Sequence, residues 1–385
     1  MTTEPGTESM TGAEAGMGLD DLPTPSLVVD LDTMGANIDR WQEMATRNGV
    51  KLRPHIKTHK VTEIALRQLE RGASGIAAAK PTEAEVFFEA GCRDIVLAYP
   101  TVGADKWARM ARMAREAKVT VNVDSEIAAR GLSDAASASG ATIQIQIEID
   151  TGLRRCGFDP MDSAGIEALA RLVMSLPGLE FEGVTTHRGK FSERLAAMTN
   201  DEAGREEGQL MVDVADRLRA KGLPVAEVTA GGTITGPGVA KVDGITEVRA
   251  GTYVFNDAMQ VAYGAANPEN VALSVLATVV STRRAGHATI DAGSKTFSGD
   301  RAVVSGAGAS EVVARAVELD ARVMRITEEH GMLELGEGVC VEIGQKLRFT
   351  PFHVCTAVNL SDELVAVRDG VVQEVWPVRA RGKRT

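Results

Sequence analysis

Residues 94–123 read DIVLAYPTVGADKWARMARMAREAKVTVNV, and this stretch sets the architecture of most of the chain. Two apolar runs, 94–99 and 119–123, flank the segment 103–117, whose apolar residues recur at helical spacing. The pattern predicts a strand, an amphipathic helix and a second strand in succession. Two strands joined by a helix in this way are typical of a parallel sheet.

The same alternation repeats before and after this stretch. Further helical patterns occupy 32–47, 81–91, 161–177 and 201–222. Together these units indicate a (β/α)8 TIM barrel, in which functional residues lie at the carboxyl ends of the strands. A doubly wound open sheet has the same alternation and is the alternative fold. The eight predicted strands are 51–56, 75–79, 94–99, 119–123, 142–149, 181–186, 226–230 and 246–250.

From about residue 268 the helical patterns give way to strand-like runs. Asp369-Gly370 lies inside the last of them and predicts a two-residue hairpin turn. The last third of the chain is therefore predicted to form a mostly-β domain after the barrel. Its strand-like runs are 272–283, 287–292, 313–327, 342–350 and 364–378.

Four segments are expected along the chain. Residues 1–19 are rich in Gly, Thr, Glu and Met without periodicity, which predicts a disordered leader. Residues 20–34 include the apolar run Ser26–Asp30, which has no partner in the strand count and is expected to join the β domain. The barrel is predicted over 35–266 and the β domain over 267–385.

The composition narrows the classes of partner. The chain has 385 residues, of which 44% are hydrophobic, and a net charge of −11. A negative field of this kind repels nucleic acid and anionic membranes, so any bound anion needs a local positive pocket. No apolar run approaches the roughly 20 residues that span a bilayer. Because the four cysteines, at 92, 156, 340 and 355, are widely spaced and follow no signal segment, we expect a cytoplasmic protein without disulfides.

A basic cluster, Arg53-Pro-His-Ile-Lys-Thr-His-Lys60, closes the first predicted strand. Alternate side chains of a strand share a face, so Arg53, His55 and Lys57 are expected to point into the barrel. A lysine at the barrel mouth, partly desolvated and close to other cations, has a lowered pKa and forms Schiff bases readily. Without further context, a solvated basic cluster is the alternative.

A second cluster, His353-Val-Cys355, lies near the end of the chain. Two residues that are two apart on a strand share a face and can bind one ion, and this segment is predicted to be a strand. Imidazole and thiolate together favour Zn²⁺, and two protein ligands leave positions open for water or substrate. A buried histidine beside an unreactive cysteine is the alternative.

The order of these motifs resembles the fold-type III pyridoxal phosphate enzymes. Within that group it is similar to the branch that contains D-serine dehydratase, D-threonine aldolase and the 3-hydroxy-D-aspartate dehydratases and aldolases. The similarity extends over nearly the whole chain from about residue 22. It is carried by Thr24–Asp32, Arg53–Lys60, Asp150–Phe158, Gly231–Thr233, Glu247–Tyr253, Asp291–Lys295 and His353–Cys355.

The resemblance implies that pyridoxal 5'-phosphate is bound covalently by Lys57, with His187 beside its ring as a second catalytic residue. It implies that Arg155 lies near the phenolic oxygen of the cofactor and Arg249 near its ring nitrogen. His353 and Cys355 would bind a divalent ion, with Zn²⁺ favoured over Mn²⁺ or Mg²⁺. The phosphate would be bound at two turns, which comprise Gly231, Gly232, Thr233, Gly251, Thr252 and the adjacent Tyr253.

The reaction that the resemblance favours is dehydration of a D-3-hydroxy amino acid to a 2-oxo acid and ammonia. The dehydratases have cysteine where the aldolases tend to have aspartate, and Cys355 occupies that position. The aldolases also carry a second histidine after the segment that matches 185–189, whereas 190–194 contains none. Retro-aldol cleavage is the alternative; a racemase and a non-catalytic carrier of the cofactor are less favoured.

The resemblance also bears on substrate and assembly. A substrate with a β-carboxylate, such as 3-hydroxyaspartate, would need one more cation, for which Arg188, Lys190 and Lys295 are candidates. D-Serine would need none. The related proteins are dimers, so a homodimer that binds a small D-amino acid is expected.

Overall fold

A computed structural model describes residues 9–189, 193–300, 303–304, 308–309 and 312–385. The chain divides into two compact units. The barrel unit comprises 38–57, 62–251 and 382–385, and the β unit comprises 58–61, 252–381 and the N-terminal residues up to 37. No helix among the described residues is both long and apolar enough to cross a membrane.

The elements alternate in the barrel unit and become mainly strands in the β unit. The strands are β1 (Ser26–Asp30), β2 (Lys51–Leu52), β3 (Ile76–Ala78), β4 (Asp94–Leu97), β5 (Lys118–Val123), β6 (Ile143–Glu148), β7 (Leu179–Thr185), β8 (Glu227–Ala230), β9 (Glu247–Val248), β10 (Leu273–Ser281), β11 (His287–Ile290), β12 (Val303–Val304), β13 (Gly308–Ala309), β14 (Ala314–Ala316), β15 (Ala321–Ile326), β16 (Gly331–Leu335), β17 (Lys346–Pro351), β18 (Glu363–Arg368) and β19 (Val371–Pro377). The helices are α1 (Leu31–Arg47), α2 (Thr62–Glu70), α3 (Pro81–Glu89), α4 (Ala104–Met113), α5 (Glu126–Ser139), α6 (Ser163–Ser175), α7 (Glu193–Ala196), α8 (Asn200–Ala220), α9 (Gly236–Val239), α10 (Ala258–Ala262), α11 (Ser294–Phe297) and α12 (Val354–Leu360).

The barrel unit contains an eight-stranded sheet in the order β2-β9-β8-β7-β6-β5-β4-β3, and every pairing is parallel. A bridge between His55 and Ala77 joins its two ends, so the sheet closes. The (β/α)8 prediction is therefore confirmed, and the open sheet is wrong because such a sheet would leave both edge strands unpaired.

The first barrel strand is shorter than predicted. The sequence pattern spans 51–56, but regular pairing ends at Leu52. Pro54 has no N–H and takes part only as an acceptor, from the N–H of Ala77 at 2.8 Å. Pairing resumes at His55, and residues 56–59 then form a turn.

Local signals explain where the barrel helices begin and end. Thr199 and Glu202 form a reciprocal capping box at the start of α8. Ser125 caps α5, and Gly140 ends it with a left-handed backbone conformation. These caps occupy the amide and carbonyl groups that a helix leaves unpaired at its ends.

The β unit is built on a nine-stranded sheet in the order β11-β16-β15-β14-β17-β10-β1-β18-β19. β10 also pairs with β11, so the strands from β10 to β17 in this sheet form a closed ring. β1 is antiparallel to β10 and parallel to β18. Asp369 and Gly370, at φ of 50° and 75°, form the predicted hairpin turn between β18 and β19.

Two predictions of strands in the β unit are wrong. The run 313–327 is two antiparallel strands, β14 and β15, separated by a bend at 317–320. The segment His353–Cys355 is not a strand, because β17 ends at Pro351 and α12 begins at Val354. His353 therefore precedes a helix, and Cys355 lies in the first turn of that helix.

Part of the expected disordered leader is packed within the β unit. Ala13 is buried, and the N–H groups of Gly16 and Leu19 donate to the carbonyls of Val372 and Gly370, each at 2.8 Å. The segment thus covers backbone groups at the edge strand β19, a source of order that a composition argument does not detect. Residues 1–8 lie outside the described residues.

Candidate active site

Lys57 lies in the turn that follows the first barrel strand. It is partly buried, and its backbone N–H donates to Nδ1 of His55 at 3.4 Å. Arg53 was expected to share its surroundings but is deeply buried and forms ion pairs with Glu247 at 2.8 Å and Asp94 at 2.7 Å. The basic cluster is therefore divided: Arg53 is neutralised inside the barrel, while His55 and Lys57 lie at the carboxyl end of the strand.

His55 and His187 lie among cations in the barrel unit. Burial and the charge of Lys57 lower the pKa of His187 to about 3, with further contributions from Arg155 and Arg249. Burial, Lys57 and Arg249 likewise hold the pKa of His55 well below its usual range. Both rings are therefore neutral near pH 7. The surrounding positive charge is the local pocket that an anion needs in an acidic chain.

Arg249 and Arg155 are linked through a buried acid. Arg249 donates to the hydroxyl of Thr185, and Arg155 lies 3.7 Å from a carboxylate oxygen of Glu148. Asn122 donates to the other oxygen of Glu148 at 2.6 Å. Burial raises the pKa of Glu148, and the two arginines oppose the shift. Neither the acid nor its amide partner belongs to a motif that sequence reasoning identified.

The glycine turn after β8 leaves little room. Gly231 has a φ of +83°, which favours glycine, and a Cβ there would lie 2.9 Å from Cα of Gly236. A Cβ on Gly232 would lie 2.9 Å from Cε1 of His187. The glycine turn and His187 are therefore neighbours, and Thr233 beside them is almost fully buried.

The backbone N–H groups of Gly231 and Gly232 have different surroundings. The N–H of Gly231 donates to Oε1 of Glu207 at 3.3 Å and is already used. The N–H of Gly232, by contrast, donates to none of the described residues. An amine, cations and a turn with an available amide fit a phosphate-bearing aldehyde such as pyridoxal phosphate. Gly251, which ends the barrel unit, follows Arg249 by two residues.

The remaining predicted residues lie in the β unit. Thr252 and Tyr253 form a 3-10 turn, and Tyr253 is fully buried. Sγ of Cys355 lies 4.0 Å from Oγ1 of Thr252 and 3.4 Å from Oγ1 of Thr58. Thr58 directly follows Lys57 in the chain.

His353 has acidic and sulfur neighbours within the same unit. Its Nδ1 lies 2.8 Å from a carboxylate oxygen of Asp300. Burial lowers the pKa of His353, but the side chain of Cys355, the charge of Asp257 and the hydrogen bond with Asp300 raise it to about 9. No group of three or more His, Cys, Asp or Glu side chains among the described residues is arranged to hold a metal. An imidazole beside a sulfur is nevertheless a donor set that suits Zn²⁺ with open positions.

A contact that sequence reasoning missed explains why a helix begins directly after His353 and includes Cys355. Oδ2 of the buried Asp257 accepts the N–H of Val354 at 3.0 Å, and Oδ1 accepts that of Gln260 at 2.8 Å. Asp257 therefore stabilises the first turn of α12 and the start of α10. An Asp at the N-cap of α10 was a signal that could have identified it.

The candidate cations for a β-carboxylate have other partners. Arg188 is buried and forms an ion pair with Glu206 at 2.7 Å. Lys295 is exposed and forms an ion pair with Glu329 at 2.5 Å. Lys190 lies outside the described residues.

Fold and site define a class of proteins: (β/α)8 barrels that carry a lysine after the first strand and a glycine turn after the seventh. A family model described as the N-terminal domain of alanine racemase matches residues 29–258. A serine dehydratase domain model matches residues 272–367. The chain therefore belongs to the alanine racemase N-terminal domain family, within the fold-type III pyridoxal phosphate proteins.

Several relatives extend along almost the entire chain. A D-threonine aldolase from Arthrobacter sp. is 36% identical over 377 residues, which cover 96% of each chain. A D-threo-3-hydroxyaspartate dehydratase from Delftia sp. is 35% identical and covers 91% of this chain and 96% of its own. The fold is also similar to that of a cysteine-to-alanine variant of D-threo-3-hydroxyaspartate dehydratase in its metal-free form. That structure has a TM-score of 0.85 and 32% identity and covers 94% of this chain and 98% of its own.

Proposed function

We propose that the chain is a pyridoxal phosphate- and metal-dependent lyase that dehydrates D-3-hydroxy amino acids. The substrate would be of the D-serine or 3-hydroxy-D-aspartate type, and the products would be a 2-oxo acid and ammonia. The observation that carries the proposal is the position of Lys57 beside two neutral histidines and two arginines. It is supported by relatives that act on this class of substrate.

In this proposal the barrel residues bind the cofactor and move one proton. When bound, pyridoxal phosphate withdraws electrons from the α-carbon of an amino acid. Lys57 would hold the cofactor at rest and, once released by the substrate amine, remove the α-proton with Nζ. Arg155 would contact the phenolic oxygen and Arg249 the ring nitrogen. As the resemblance implies, the phosphate would be bound at two turns, which comprise Gly231, Gly232, Thr233, Gly251, Thr252 and the adjacent Tyr253.

His187 would act as a neutral ring packed beside the cofactor. Its low pKa means that it brings no charge to a region that already holds Lys57 and two arginines. A neutral imidazole can accept or donate a single hydrogen bond without competing with Lys57 for the α-proton. We therefore assign the base to Lys57 and orientation to His187.

His353 and Cys355 would hold a divalent ion, proposed to be Zn²⁺. Because the β-hydroxyl is a poor leaving group, the ion would supply Lewis-acid chemistry for its departure. Asp300 would accept the Nδ1–H of His353 and so present Nε2 to the ion. A solved structure of a D-threo-3-hydroxyaspartate dehydratase in which a cysteine is replaced by alanine is of the metal-free form, which supports this role for a cysteine.

Two sequence features favour dehydration over cleavage. A sulfur ligand stands at position 355, and no histidine follows His187 in the stretch 188–194. Retro-aldol cleavage is the second candidate, because the Arthrobacter relative is an aldolase and is similar along its whole length.

We further propose a cytoplasmic homodimer. Sedimentation or light scattering tests the dimer.

Incubation with D-threonine separates the two reactions. Dehydration yields 2-oxobutanoate and ammonia, whereas cleavage yields glycine and acetaldehyde. We expect the first pair, and glycine with acetaldehyde as the main products would replace our proposal with the alternative. Lys57→Ala should abolish product formation and the visible absorbance band that borohydride removes. Lys241→Ala, a surface lysine paired with Asp201 in the same unit, should retain both.

Removal of the metal tests the second half of the site. Chelation should abolish dehydration, and added Zn²⁺ should restore it. Cys355→Ser removes a proposed direct ligand and should lower the Zn²⁺ affinity by at least the roughly 10- to 100-fold that loss of an outer-shell partner costs. Cys340→Ser, at an exposed cysteine of the same unit, is the matched control and should bind Zn²⁺ normally. Equal metal content in the two variants would contradict the assignment.

A further inference from the structure

Glu207 is a carboxyl group on the buried face of α8. It is fully buried, and that face of the helix is otherwise formed by small and apolar residues. A carboxyl group at such a position is unfavourable unless hydrogen bonds compensate for the loss of water. Its neighbours on this face include Ala203, Gly204, Gly208 and Met211.

Glu207 links the loops that follow two adjacent barrel strands. Its Oε1 accepts the N–H of Arg188 at 3.2 Å and the N–H of Gly231 at 3.3 Å. Arg188 directly follows His187 after β7, and Gly231 is the first residue after β8. One oxygen atom therefore holds the backbone of both loops.

These two loops meet at the proposed cofactor site. Gly232 and His187 are so close that a single added methyl group would lie 2.9 Å from the imidazole. A shift of either loop would change the spacing between the glycine turn and the histidine. Arg188 is held a second time, by Glu206 and the carbonyl of Ala203, so α8 determines where this loop lies.

We infer that Glu207 is a positioning residue that aligns the glycine turn with His187 for a phosphate-bearing cofactor. The inference rests on the proposed function for the identity of that ligand. Glu207 acts by accepting two hydrogen bonds with one oxygen and not by its charge, since a carboxylate behind a phosphate-binding turn would repel the phosphate. Burial, which raises the pKa of Glu207, favours the uncharged form.

Four variants of the full chain separate positioning from mere stability. Glu207→Gln keeps an acceptor oxygen, Glu207→Leu removes it, and Glu207→Asp keeps the carboxyl group but withdraws it from both N–H donors by one methylene. Met211→Ala, at a fully buried position one turn further along α8, weakens the packing of the helix but leaves the carboxyl group of Glu207 in place. The Asp variant preserves the test if the Leu variant does not fold.

The readouts are the pyridoxal phosphate affinity, measured by absorbance titration, and the ³¹P chemical shift of the bound phosphate. We expect Gln to bind within about threefold of the parent, and Leu and Asp to bind about 10- to 100-fold more weakly with a changed ³¹P shift. Met211→Ala should lower the unfolding midpoint but keep both readouts. The inference is overturned if Leu and Asp bind normally, if Gln is as weak as Leu, or if Met211→Ala reproduces their loss.

Amide hydrogen exchange gives a readout that needs no cofactor. Peptides that contain 186–189 and 229–233 should lose protection in Glu207→Leu and keep it in Glu207→Gln. If the parent protein binds no pyridoxal phosphate, the proposed function fails, yet this loss of protection still supports the positioning role. Unchanged protection in Glu207→Leu overturns the inference whatever the cofactor result.

Discussion

His187 in the barrel unit and His353 in the β unit are both partly buried histidines, yet their pKa values shift in opposite directions. Burial and three cations lower the pKa of His187 to about 3. A sulfur and two carboxylates outweigh burial at His353 and raise its pKa to about 9. The difference shows that the charges around a histidine, and not burial alone, decide its protonation.

The contrast matches the chemistry proposed for each unit. Positive surroundings suit a phosphate and a lysine that must lose a proton, whereas a sulfur with carboxylates suits a metal cation. The low pKa of His187 and the high pKa of His353 thus agree with the anion site and the cation site that we propose for the two units.

The largest expected effect is on acid stability. His187 binds a proton in the unfolded chain below about pH 6.5 but not in the folded cofactor-free protein until about pH 3. Its contribution to the free energy of unfolding therefore falls as the pH is lowered between these values, by about 1.4 kcal/mol per pH unit. His187→Asn should flatten this limb when unfolding is measured in denaturant from pH 4 to 7. An unchanged slope would mean that the folded protein does not lower the pKa of this ring.

In metal-free protein, His353 should make the free energy of unfolding depend on pH in the opposite direction and over a narrower pH range. Its folded pKa of about 9 lies above the unfolded value of about 6.5, so its stabilising contribution is complete below pH 6.5. That contribution is lost as the pH rises towards 9. His353→Asn should flatten only the alkaline limb, and His187→Asn only the acid limb. If both variants changed the same limb, the contrast between the two units would be wrong.

Replacement of two buried acids should produce a smaller effect that still differs between the units. Asp257 accepts one N–H with each oxygen, whereas Glu207 accepts two with a single oxygen. An amide has only one acceptor oxygen. Asp257→Asn should therefore lower the free energy of unfolding by about 1–3 kcal/mol because one N–H loses its acceptor, and Glu207→Gln by less than about 1 kcal/mol. Chemical denaturation at pH 7 gives both values. Equal losses would contradict the difference in how the two acids accept their hydrogen bonds.

Much of the barrel was predictable because its signals are local. In Val119-Thr-Val-Asn-Val123, as in the other central strands, both faces are buried, and the apolar run is followed by a capped helix. Repetition of this unit indicates parallel strands, whose carboxyl ends must share one end of the barrel. The predicted positions of Lys57, His187 and the glycine turn follow from that rule.

Other features depend on contacts between segments that are far apart in the chain. His353 and Cys355 alternate as strand residues do, yet Asp257, almost a hundred residues earlier, holds their segment at the start of a helix. The leader has the composition of a disordered tail, yet its described part, residues 9–19, is hydrogen-bonded to the backbone of Gly370 and Val372. Sequence periodicity cannot predict these two features, because it is judged within a short segment and the contacting residues lie far outside that segment.

The amino-acid sequence alone was sufficient for the order of strands and helices and for the lysine after the first barrel strand, whereas closure of the sheet was seen only in the bridge between His55 and Ala77. The predicted features depend on side-chain periodicity and turn chemistry within short windows. The role of Glu207, the burial of Arg53 and the opposite pKa shifts of His187 and His353 emerged only once the chain was folded. They depend on which residues, distant in sequence, become neighbours in the buried interior, where the dielectric constant is low. That proximity is a property of the packed molecule.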